Sequence, residues 1–405
     1  MRRRDHLLLI SSRYPYGTQE AYLGTELAAL RDYVPRITVA PLRANGGMPV
    51  HSVPAGVDVL SLPLTAPRTY LRALRTFRYA PRAAIGAISA LLRSGDRGKV
   101  KNLAMLPAAL ALADWARSNA VTHVHGYWLS TPASAAFVAG SIAGIPWSAT
   151  AHRWDIYERN ALDVKARTAS FIRTISTRGY TDLRSALPGD PKLVELRLGA
   201  EIPHSDGVAL PARKRRFHII SPAALVPVKG HSDLLEAIAL LRPQGVHVRC
   251  TLAGTGPERM ALSVQARALR IDDLVVFTGH VDRARLLEWY RSGEVDAVVL
   301  ASRADGPTMM EGLPSALIEA LAFEVPVIAT DSGSISELLA GDCGILVPPR
   351  SPLRIAEAIR SVYEAPALAR ERAQRGYDRV KRFHDAREQM RAFAGLLYPS
   401  PEVRS

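Results

Sequence analysis

The stretch VDAVVLASRADGPTMMEGLPSALIEALAFEVPVIAT, residues 295–330, has a short aliphatic run at each end and a helical pattern between them. The end runs, 295–301 and 325–330, have the length and the branched side chains that are typical of buried β-strands. Between them, Leu317 and Leu321 repeat at the spacing of one helix face. The order strand, helix, strand predicts a βαβ unit, whose two strands lie parallel in one sheet.

The same alternation recurs along most of the 405 residues. Strand-like runs in the first half are HLLLIS, RITVAPL, VDVLSL, THVHGY, WSATAH, FIRTIS and LVELRL, and those in the second half are FHIISP, VRCTLAG, LVVFTG, VDAVVLA, VPVIAT and GILVPP. Because a chain of this length exceeds one ordinary hydrophobic core, two domains are expected. The sequence therefore predicts an α/β fold of two doubly wound, Rossmann-like domains that face each other across a cleft.

A polar segment in the middle of the chain sets the predicted domain boundaries. Residues 201–214 contain two prolines and a glycine, which is typical of a linker. They separate an N-terminal domain, 1–200, from a C-terminal domain, 215–384, and a last helix over 385–400 could cross back to the first domain. In such sheets ligands bind beyond the carboxyl ends of the strands, so the loops that follow the strands are expected to carry the chemistry.

Positive charge is concentrated in the first half of the chain. The whole chain has 52 Lys+Arg, 38 Asp+Glu and a net charge of +14. Residues 1–200 hold 26 basic and 13 acidic side chains, a net of +13, whereas residues 201–405 hold 26 and 25, a net of +1. This asymmetry indicates an anionic partner, either nucleic acid or an acidic membrane surface. No aromatic stacking platform accompanies the basic residues, which favours the membrane.

Part of this charge falls on one predicted helix. Its arginines follow steps of four, three, three and four, which places them on one helix face; they are Arg68, Arg72, Arg75, Arg78 and Arg82. Further basic residues follow at Arg93, Arg97, Lys99 and Lys101. Tyr70, Leu74 and Phe77 point the other way and are expected to pack on the core. The pattern predicts docking on anionic lipid, with a solvated charged face as the alternative.

Glu311 and Glu319 stand eight positions apart around a Gly-Leu-Pro turn. Pro314 fits the first helical position, because its missing N–H would be unpaired there. The free N–H groups at a helix start suit a phosphate. A carboxylate at Glu319 suits the vicinal hydroxyls of a ribose, and Glu311 could reach a second polyol. The alternative is that Glu311 is a solvated loop residue and Glu319 an exposed helix position.

Residues 311–339, EGLPSALIEALAFEVPVIATDSGSISELL, resemble the E-x7-E region of the retaining glycosyltransferases of family 4, also called glycosyl transferases group 1, which have the GT-B architecture. ALVPVKGHSDLLEAI, LAGTGPE, VVFTGHV and GDCGILVPP resemble other segments of that family. SRYPYGTQEAYLGTEL and SATAHRWDIY are similar to its bacterial exopolysaccharide and colanic-acid-type subgroup. The resemblance implies an acceptor-side first domain and a nucleotide-sugar-binding second domain.

The resemblance also implies a role for each matching position. Glu319 would hold the nucleotide ribose, Glu311 the hydroxyls of the donor sugar, and Lys229 the pyrophosphate. His152 would face the sugar near the reacting carbon, and Gly17 would let the first domain approach the phosphates. The catalytic roles would fall to His152, Glu311 and Lys229. The other positions implied in donor binding are Gly230, Gly279, His280, Val281, Arg303, Gly312, Leu313, Pro314 and Ser315.

One position departs from the family pattern. The family usually has an arginine five residues before its lysine, as a second cation on the pyrophosphate, and this chain has Ala224 there. Arg303 in the second domain, or Arg153 or Arg13 in the first, could restore the charge. The alternative is an enzyme with feeble or lost transferase activity.

The sequence contains no Asp-x-Asp, the pair of carboxylates that metal-dependent transferases need, so no metal and no cofactor are expected. Together these features predict a metal-independent hexosyltransferase with a UDP- or GDP-linked donor and a lipid-linked or polysaccharide acceptor. The protein is expected to be cytoplasmic, attached to the inner face of the membrane, with Cys250 and Cys343 as buried free thiols. The alternatives are a sugar-nucleotide epimerase on the same scaffold and a non-enzymatic protein that binds membranes or nucleic acid.

Overall fold

The structure is a computed structural model and describes residues 5–43, 47–93, 98–187, 189–203, 216–306 and 310–399. The chain divides into two compact units. The first comprises Met1–Gly199 and Ala386–Ser405, and the second comprises Ala200–Asp385. Most of the predicted linker, residues 204–214, and Arg97 lie outside the described residues.

The first unit is built on a seven-stranded sheet in which all neighbouring strands run parallel. Its strands are β1 (His6–Ser11), β2 (Arg36–Pro41), β3 (Val57–Val59), β4 (His123–Gly126), β5 (Trp147–Ala151), β6 (Ile172–Thr174) and β7 (Leu193–Glu195). The order across the sheet is β3-β2-β1-β4-β5-β6-β7. The chain therefore begins in the interior of the sheet and winds outward in both directions.

Helices cover both faces of this sheet. They are α1 (Ala21–Leu30), α2 (Pro67–Tyr79), α3 (Pro81–Arg93), α4 (Lys99–Ser118), α5 (Thr131–Ala143), α6 (Arg153–Glu158), α7 (Leu162–Thr168) and α8 (Thr177–Ala186). Leu8 and Ile10 of β1 belong to one apolar cluster, and Leu7 and Leu9 belong to another. The split arises because successive side chains of a strand point to opposite faces.

The second unit repeats the design with a six-stranded parallel sheet in the order β10-β9-β8-β11-β12-β13. Its strands are β8 (Phe217–Ser221), β9 (Val248–Leu252), β10 (Val275–Phe277), β11 (Ala297–Leu300), β12 (Val327–Thr330) and β13 (Ile345–Val347). Its helices are α9 (His231–Leu241), α10 (Arg259–Ala268), α11 (Arg283–Arg291), α12 (Ser315–Ala322), α13 (Ile335–Leu339), α14 (Pro352–Glu364) and α15 (Pro366–Phe383). The neighbouring strands β11 and β12, joined through α12, form the βαβ unit predicted for residues 295–330.

A last helix, α16 (Ala386–Leu397), belongs to the first unit. Its side chains Met390, Phe393 and Leu397 pack in the same apolar cluster as Leu7 and Leu9. The predicted α/β fold with two Rossmann-like domains is confirmed, and each strand-like run of the sequence contains one of the thirteen strands found in the described residues. Within the described ranges, no helix is both long and apolar enough to cross a membrane.

A buried ion pair connects distant segments of the first unit. Arg173 on β6 donates from Nη1 and Nη2 to the carboxylate of Glu26 on α1, at 2.8 and 2.6 Å, and both side chains are buried. Arg173 also donates to the carbonyls of Leu196 and Arg197, each at 2.8 Å, and Glu26 accepts from the N–H of Gly199 at 3.1 Å. The pair therefore holds the segment that follows β7, up to Gly199.

The predicted arginine helix is interrupted. α2 ends at Tyr79 and Pro81 begins α3, because proline lacks the N–H that would continue the first helix. Arg82 therefore lies on α3, apart from the four arginines of α2. Of those four, Arg72 forms an ion pair with Asp114 of α4 at 2.6 Å.

The prediction that the apolar side chains of α2 pack on the core is wrong. Tyr70, Leu74 and Phe77 are exposed. The side of α2 that packs inward carries small residues, which are Thr69, Ala73 and Thr76. Thr76 Oγ1 donates to the carbonyl of Leu110 on α4 at 2.8 Å, and so close a helix contact leaves no room for a large side chain.

Candidate functional site

Lys229 and Glu311 meet beyond the carboxyl ends of β8 and β11 in the second unit. Lys229 ends a short 3-10 helix, Pro227–Lys229, and Glu311 lies in the loop between β11 and α12. Lys229 Nζ lies 2.5 Å from Glu311 Oε2, and Ser302 Oγ donates to the same oxygen at 3.0 Å. Glu311 is only 8% exposed, so the alternative of a solvated loop residue is wrong.

The Glu311 carboxyl is held in its charged form. Burial raises its pKa, but the charge of Lys229 and the hydrogen bonds from Lys229 and Ser302 outweigh burial and leave the pKa below its ordinary value. A charged carboxylate accepts hydrogen bonds from hydroxyl groups, and an ammonium group binds phosphate. The pair therefore has the groups that a sugar phosphate requires.

Two glycines allow the loops around this pair to pack closely. Gly230 has a φ of +62°, and a Cβ there would lie 1.9 Å from the carbonyl oxygen of Ala301. Gly333 has a φ of +64°, and a Cβ there would lie 1.6 Å from the carbonyl oxygen of Glu311. Glycine alone combines these backbone angles with such close contacts. The backbone that carries Glu311 is thus held from the β12 side by contact with Gly333.

Glu319 lies on α12 and is also only 8% exposed, which rules out the alternative of an exposed helix position. Arg283, the first residue of α11, donates from Nε to Glu319 Oε1 at 2.6 Å, and its Nη1 lies 3.6 Å from Glu201 Oε2. α11 follows the loop 279–281, which is predicted to contact the nucleotide base. The predicted base-contacting and ribose-contacting elements are therefore joined by an ion pair.

The start of α12 is shifted by one residue from the prediction. The helix begins at Ser315, and Pro314 is its cap residue with an extended backbone, φ −73° and ψ 115°. The prediction that Pro314 is the first helical residue is therefore wrong. The fixed φ of proline suits both positions, and sequence alone does not separate them. Gly312 and Leu313 precede the cap in the loop that also carries Glu311.

The backbone of Arg303 contacts the residue before Lys229, but the charge of the Arg303 side chain is already paired. Its backbone N–H donates to the carbonyl of Val228 at 2.8 Å. Its Nε and Nη2 donate to the two carboxylate oxygens of Asp233 at 3.0 and 2.7 Å. Ala224 is exposed and contributes no charge. Arg303 can therefore act as a second cation only if its pair with Asp233 opens.

In the first unit, His152 follows β5 and is 5% exposed. Its ring stacks on Trp128 with the ring centroids 4.1 Å apart, and its Nε2 lies 3.4 Å from the hydroxyl of Tyr22. Its Nδ1 has no hydrogen-bond partner among the described residues. Burial, with the charge of Arg173, lowers the pKa of His152 to about 3, so the ring is neutral at pH 7. His152 therefore offers hydrogen bonding and no charge.

The buried carboxylate of Glu20 binds backbone N–H groups of the loop that contains Gly17. Glu20 accepts from Trp128 Nε1 at 2.6 Å and from the backbone N–H groups of Arg13 and Tyr14 at 2.7 Å each. Gly17 lies in this loop, and a Cβ there would lie 2.7 Å from Arg13 Cβ. Glu20 thereby links this loop to the tryptophan that stacks on the predicted catalytic histidine.

Arg153 of the first unit was, like Arg13, predicted as a possible second cation for the pyrophosphate. It is buried at the start of α6, and its Nη1 lies 3.2 Å from Asp182 Oδ2. Its Nη2 donates to the hydroxyl of Tyr157 at 3.1 Å. The charge of Arg153 is therefore satisfied within the first unit.

Because several histidines are buried, we expect the free energy of unfolding to fall in acid. Burial lowers the pKa of His123 to about 3 and that of His231 to about 4, so both rings stay neutral in the folded state. In the unfolded chain a histidine binds a proton below about pH 6.5. The free energy of unfolding should therefore fall as the pH drops below 6.5, by about 2 kcal/mol per histidine at pH 5.

Replacing His123 by glutamine is expected to flatten this decline, measured by urea unfolding between pH 7 and pH 5. Replacing the exposed His247 by glutamine is the matched control and should leave the decline unchanged. The same pH dependence in the His123→Gln variant and the wild type would contradict the assignment.

The second unit, which contains Lys229, Glu311 and Glu319, is similar to a known protein family. Residues 208–379 match the family described as glycosyl transferases group 1. The chain carries a glycosyl transferases group 1 domain. The matched range contains Lys229, Glu311 and Glu319 together with Ser302 and Arg283.

Curated relatives of this glycosyltransferase domain include proteins named for bacterial polysaccharide synthesis. The colanic acid biosynthesis glycosyltransferase WcaL of Escherichia coli (strain K12) is 29% identical over 215 residues, 51% of this chain and 51% of its own length. The teichuronic acid biosynthesis glycosyltransferase TuaC of Bacillus subtilis (strain 168) is 27% identical over 290 residues, 66% of this chain and 68% of its own length. The chain thus spans about half to two thirds of these relatives.

Solved structures resemble the chain over nearly its full length. HepE of Anabaena, in complex with UDP and glucose, has a TM-score of 0.67 and 18% identity, with 97% of this chain and 99% of that chain covered. A sucrose-phosphate synthase from Thermosynechococcus elongatus has a TM-score of 0.69 and 18% identity, with 97% and 98% covered. These similarities show that the two Rossmann-like units have the GT-B fold.

Several partners of the predicted site residues could not be predicted from the sequence. Arg283 lies 36 positions from Glu319, and Asp233 lies 70 positions from Arg303, so no local spacing connects either pair. Ser302 lies just after the end of β11, where the sequence predicts ligand-binding residues, so its position could have indicated it as a site residue. Among the described residues, no group of three or more His, Cys, Asp or Glu side chains could hold a metal ion.

Proposed function

We propose that this protein is a retaining, metal-independent hexosyltransferase that uses a UDP- or GDP-linked donor and a lipid-linked or polysaccharide acceptor. The observation that carries the proposal is the buried pair of Lys229 and Glu311, 2.5 Å apart, within a glycosyl transferases group 1 domain. The pair provides a cation for the pyrophosphate and a charged carboxylate for the sugar hydroxyls.

The proposed chemistry uses these groups where charge develops. The bond between the sugar carbon and the phosphate oxygen breaks as the acceptor oxygen bonds to that carbon on the same face. The acceptor proton passes to the departing phosphate oxygen. Lys229 stabilises the negative charge that accumulates on the leaving diphosphate, and the start of α12 adds the N–H groups of Ser315 and its neighbours.

The names of the relatives support the proposed substrates. WcaL and TuaC are named for polysaccharide synthesis, and HepE was solved with UDP and glucose. A GDP-mannose-dependent phosphatidylinositol dimannoside mannosyltransferase of Mycobacterium tuberculosis (strain ATCC 25177 / H37Ra) is 28% identical over 242 residues, 57% of this chain and 60% of its own length. The names of these proteins are therefore consistent with a UDP-linked or a GDP-linked donor and with a lipid-linked acceptor.

The proposal includes the location of the protein. The first half of the chain carries a net charge of +13, and Arg75 and Arg78 of α2 are exposed. Attraction to acidic lipid, about 1 kcal/mol for each basic residue near the surface, would keep the enzyme on the cytoplasmic face of a membrane, beside a lipid-linked acceptor.

Two glutamate variants separate the proposed roles. Glu319→Ala should weaken binding of the nucleoside diphosphate by about 1 to 3 kcal/mol, because the ribose hydroxyls and Arg283 both lose their carboxylate. Glu311→Ala should lower turnover and leave binding of the bare diphosphate nearly unchanged. Calorimetric titration and a sugar-transfer assay measure the two effects, and Glu357→Ala on the exposed side of α14 is the control. Wild-type transfer in both glutamate variants would refute the assignment.

A further inference from the structure

One face of α2 combines exposed leucines with exposed arginines. Leu71 and Leu74 are 61% and 69% exposed, and Arg75 and Arg78 are exposed beside them. These four positions are i, i+3, i+4 and i+7, which lie on one side of a helix. Apolar and cationic side chains therefore share the same outward face, whereas an ordinary surface helix turns its apolar stripe toward the core.

Next to this face the structure has an open apolar groove between α2, α3 and α4. Its volume is about 800 Å³. Leu71, Leu74 and Phe77 line it from α2, Ile88 from α3, and Leu106 from α4. The volume is within the range of pockets that hold small-molecule ligands, about 300 to 1,000 Å³.

The apolar surface continues beyond the groove. Ile85 precedes the groove-lining Ile88 by three residues on α3, and Leu103 precedes Leu106 by three residues on α4, so each pair shares a helix face. Ile85 and Leu103 are both exposed. Contiguous apolar surface of this kind marks an interaction site and not an ordinary solvated face.

We propose that this groove holds the hydrocarbon chain of an anionic membrane lipid and that Arg75 and Arg78 bind its phosphate headgroup. A ligand that fits must be apolar where Leu71, Leu74 and Phe77 lie and anionic beside them, and a phospholipid has both parts. The apolar surface of another protein, or of a second copy of this chain, would match the leucines. It would not explain the adjacent arginines, which have no acidic side chain on the same face of α2. Within the described residues, neither Arg75 nor Arg78 forms an ion pair.

The proposal goes beyond electrostatic attachment, because hydrocarbon contact survives salt whereas the attraction of exposed charges is screened within about 8 Å at physiological ionic strength. It does not depend on transferase activity. Nucleotide-induced stabilisation can be measured on the same variants, so failure of the lipid proposal and failure of the proposed enzyme activity are distinguishable.

The first test is flotation with vesicles of phosphatidylcholine alone and of phosphatidylcholine with phosphatidylglycerol, at low and at high salt. Leu71→Gln/Leu74→Gln should lose most of the binding that persists at high salt. Arg75→Gln/Arg78→Gln should show a weaker preference for the anionic vesicles than the wild type, because the other basic residues of the first half remain. The control is Leu353→Gln/Leu368→Gln, exposed leucines of the second unit, which should bind as the wild type does.

The second test places a reporter in the groove. Phe77→Trp should show fluorescence that is quenched by phospholipids with brominated acyl chains, whereas Leu353→Trp in the second unit should not. Undiminished vesicle binding in the leucine variant, or no quenching of Phe77→Trp above the wild type, would overturn the proposal. If light scattering gave a dimer mass for the wild type and a monomer mass for the leucine variant, the proposal would be wrong and the face would belong to a second copy of the chain.

Discussion

Replacement of Lys229 by alanine is expected to lower the rate of sugar transfer by about 10²-fold or more, the usual effect of removing one preorganised charge-stabilising group. The effect should be large because no arginine stands at position 224 and Arg303 is paired with Asp233. The variant also removes the cation that lowers the pKa of Glu311, so the pKa of this buried carboxyl should rise. A transfer assay with a saturating donor measures the loss.

Two controls isolate the role of the lysine charge. Lys229→Arg keeps a cation at the site and should retain more activity than Lys229→Ala. Lys381→Ala removes an exposed lysine from α15 of the same unit and should be neutral. Transfer by Lys229→Ala at the wild-type rate would show that another group binds the pyrophosphate.

Replacement of Arg173 by methionine is expected to destabilise the first unit by about 3 to 5 kcal/mol, because Glu26 would remain as a buried charge without its partner. The carbonyls of Leu196 and Arg197 would lose their donors in the same step. Urea unfolding followed by tryptophan fluorescence is a suitable measurement, since four of the five tryptophans belong to the first unit: Trp115, Trp128, Trp147 and Trp154.

A double variant distinguishes loss of the pair from general damage to the core. Glu26→Gln/Arg173→Met removes both charges and should cost less than the sum of the two single variants, because no unpaired buried charge remains. Arg184→Met, an exposed residue of α8, is the matched control and should stay close to wild type. Additive single effects would mean that the two side chains are not coupled.

The sequence predicted the sheets well because strand signals are local. Short aliphatic runs such as residues 6–11 and 217–221 are buried on both faces, and that burial can be read from composition alone. The prediction for α2 was wrong, because Leu74 and Phe77 have the spacing of a core-facing side and yet are exposed. Periodicity identifies the apolar face of a helix and does not identify what covers it.

The candidate site was predictable only in part for a related reason. Glu311 and Glu319 stand close together in sequence, so their spacing and the helix between them could be recognised. Their partners Lys229 and Arg283 come from other loops, and the pairing depends on how strands β8, β10 and β11 are ordered in the sheet. The family resemblance indicated Lys229, but neither spacing nor resemblance indicated Arg283.

Thermal unfolding in the presence of UDP, GDP and ADP tests the central claim most directly, because a ligand that binds the folded state raises Tm by mass action. We predict that UDP or GDP raises Tm of the wild type selectively, that Glu319→Ala loses most of this rise, and that Glu311→Ala keeps it. If none of the three nucleotides raised Tm, or if Glu319→Ala responded as the wild type does, the glutamate pair would not be a nucleotide-sugar site.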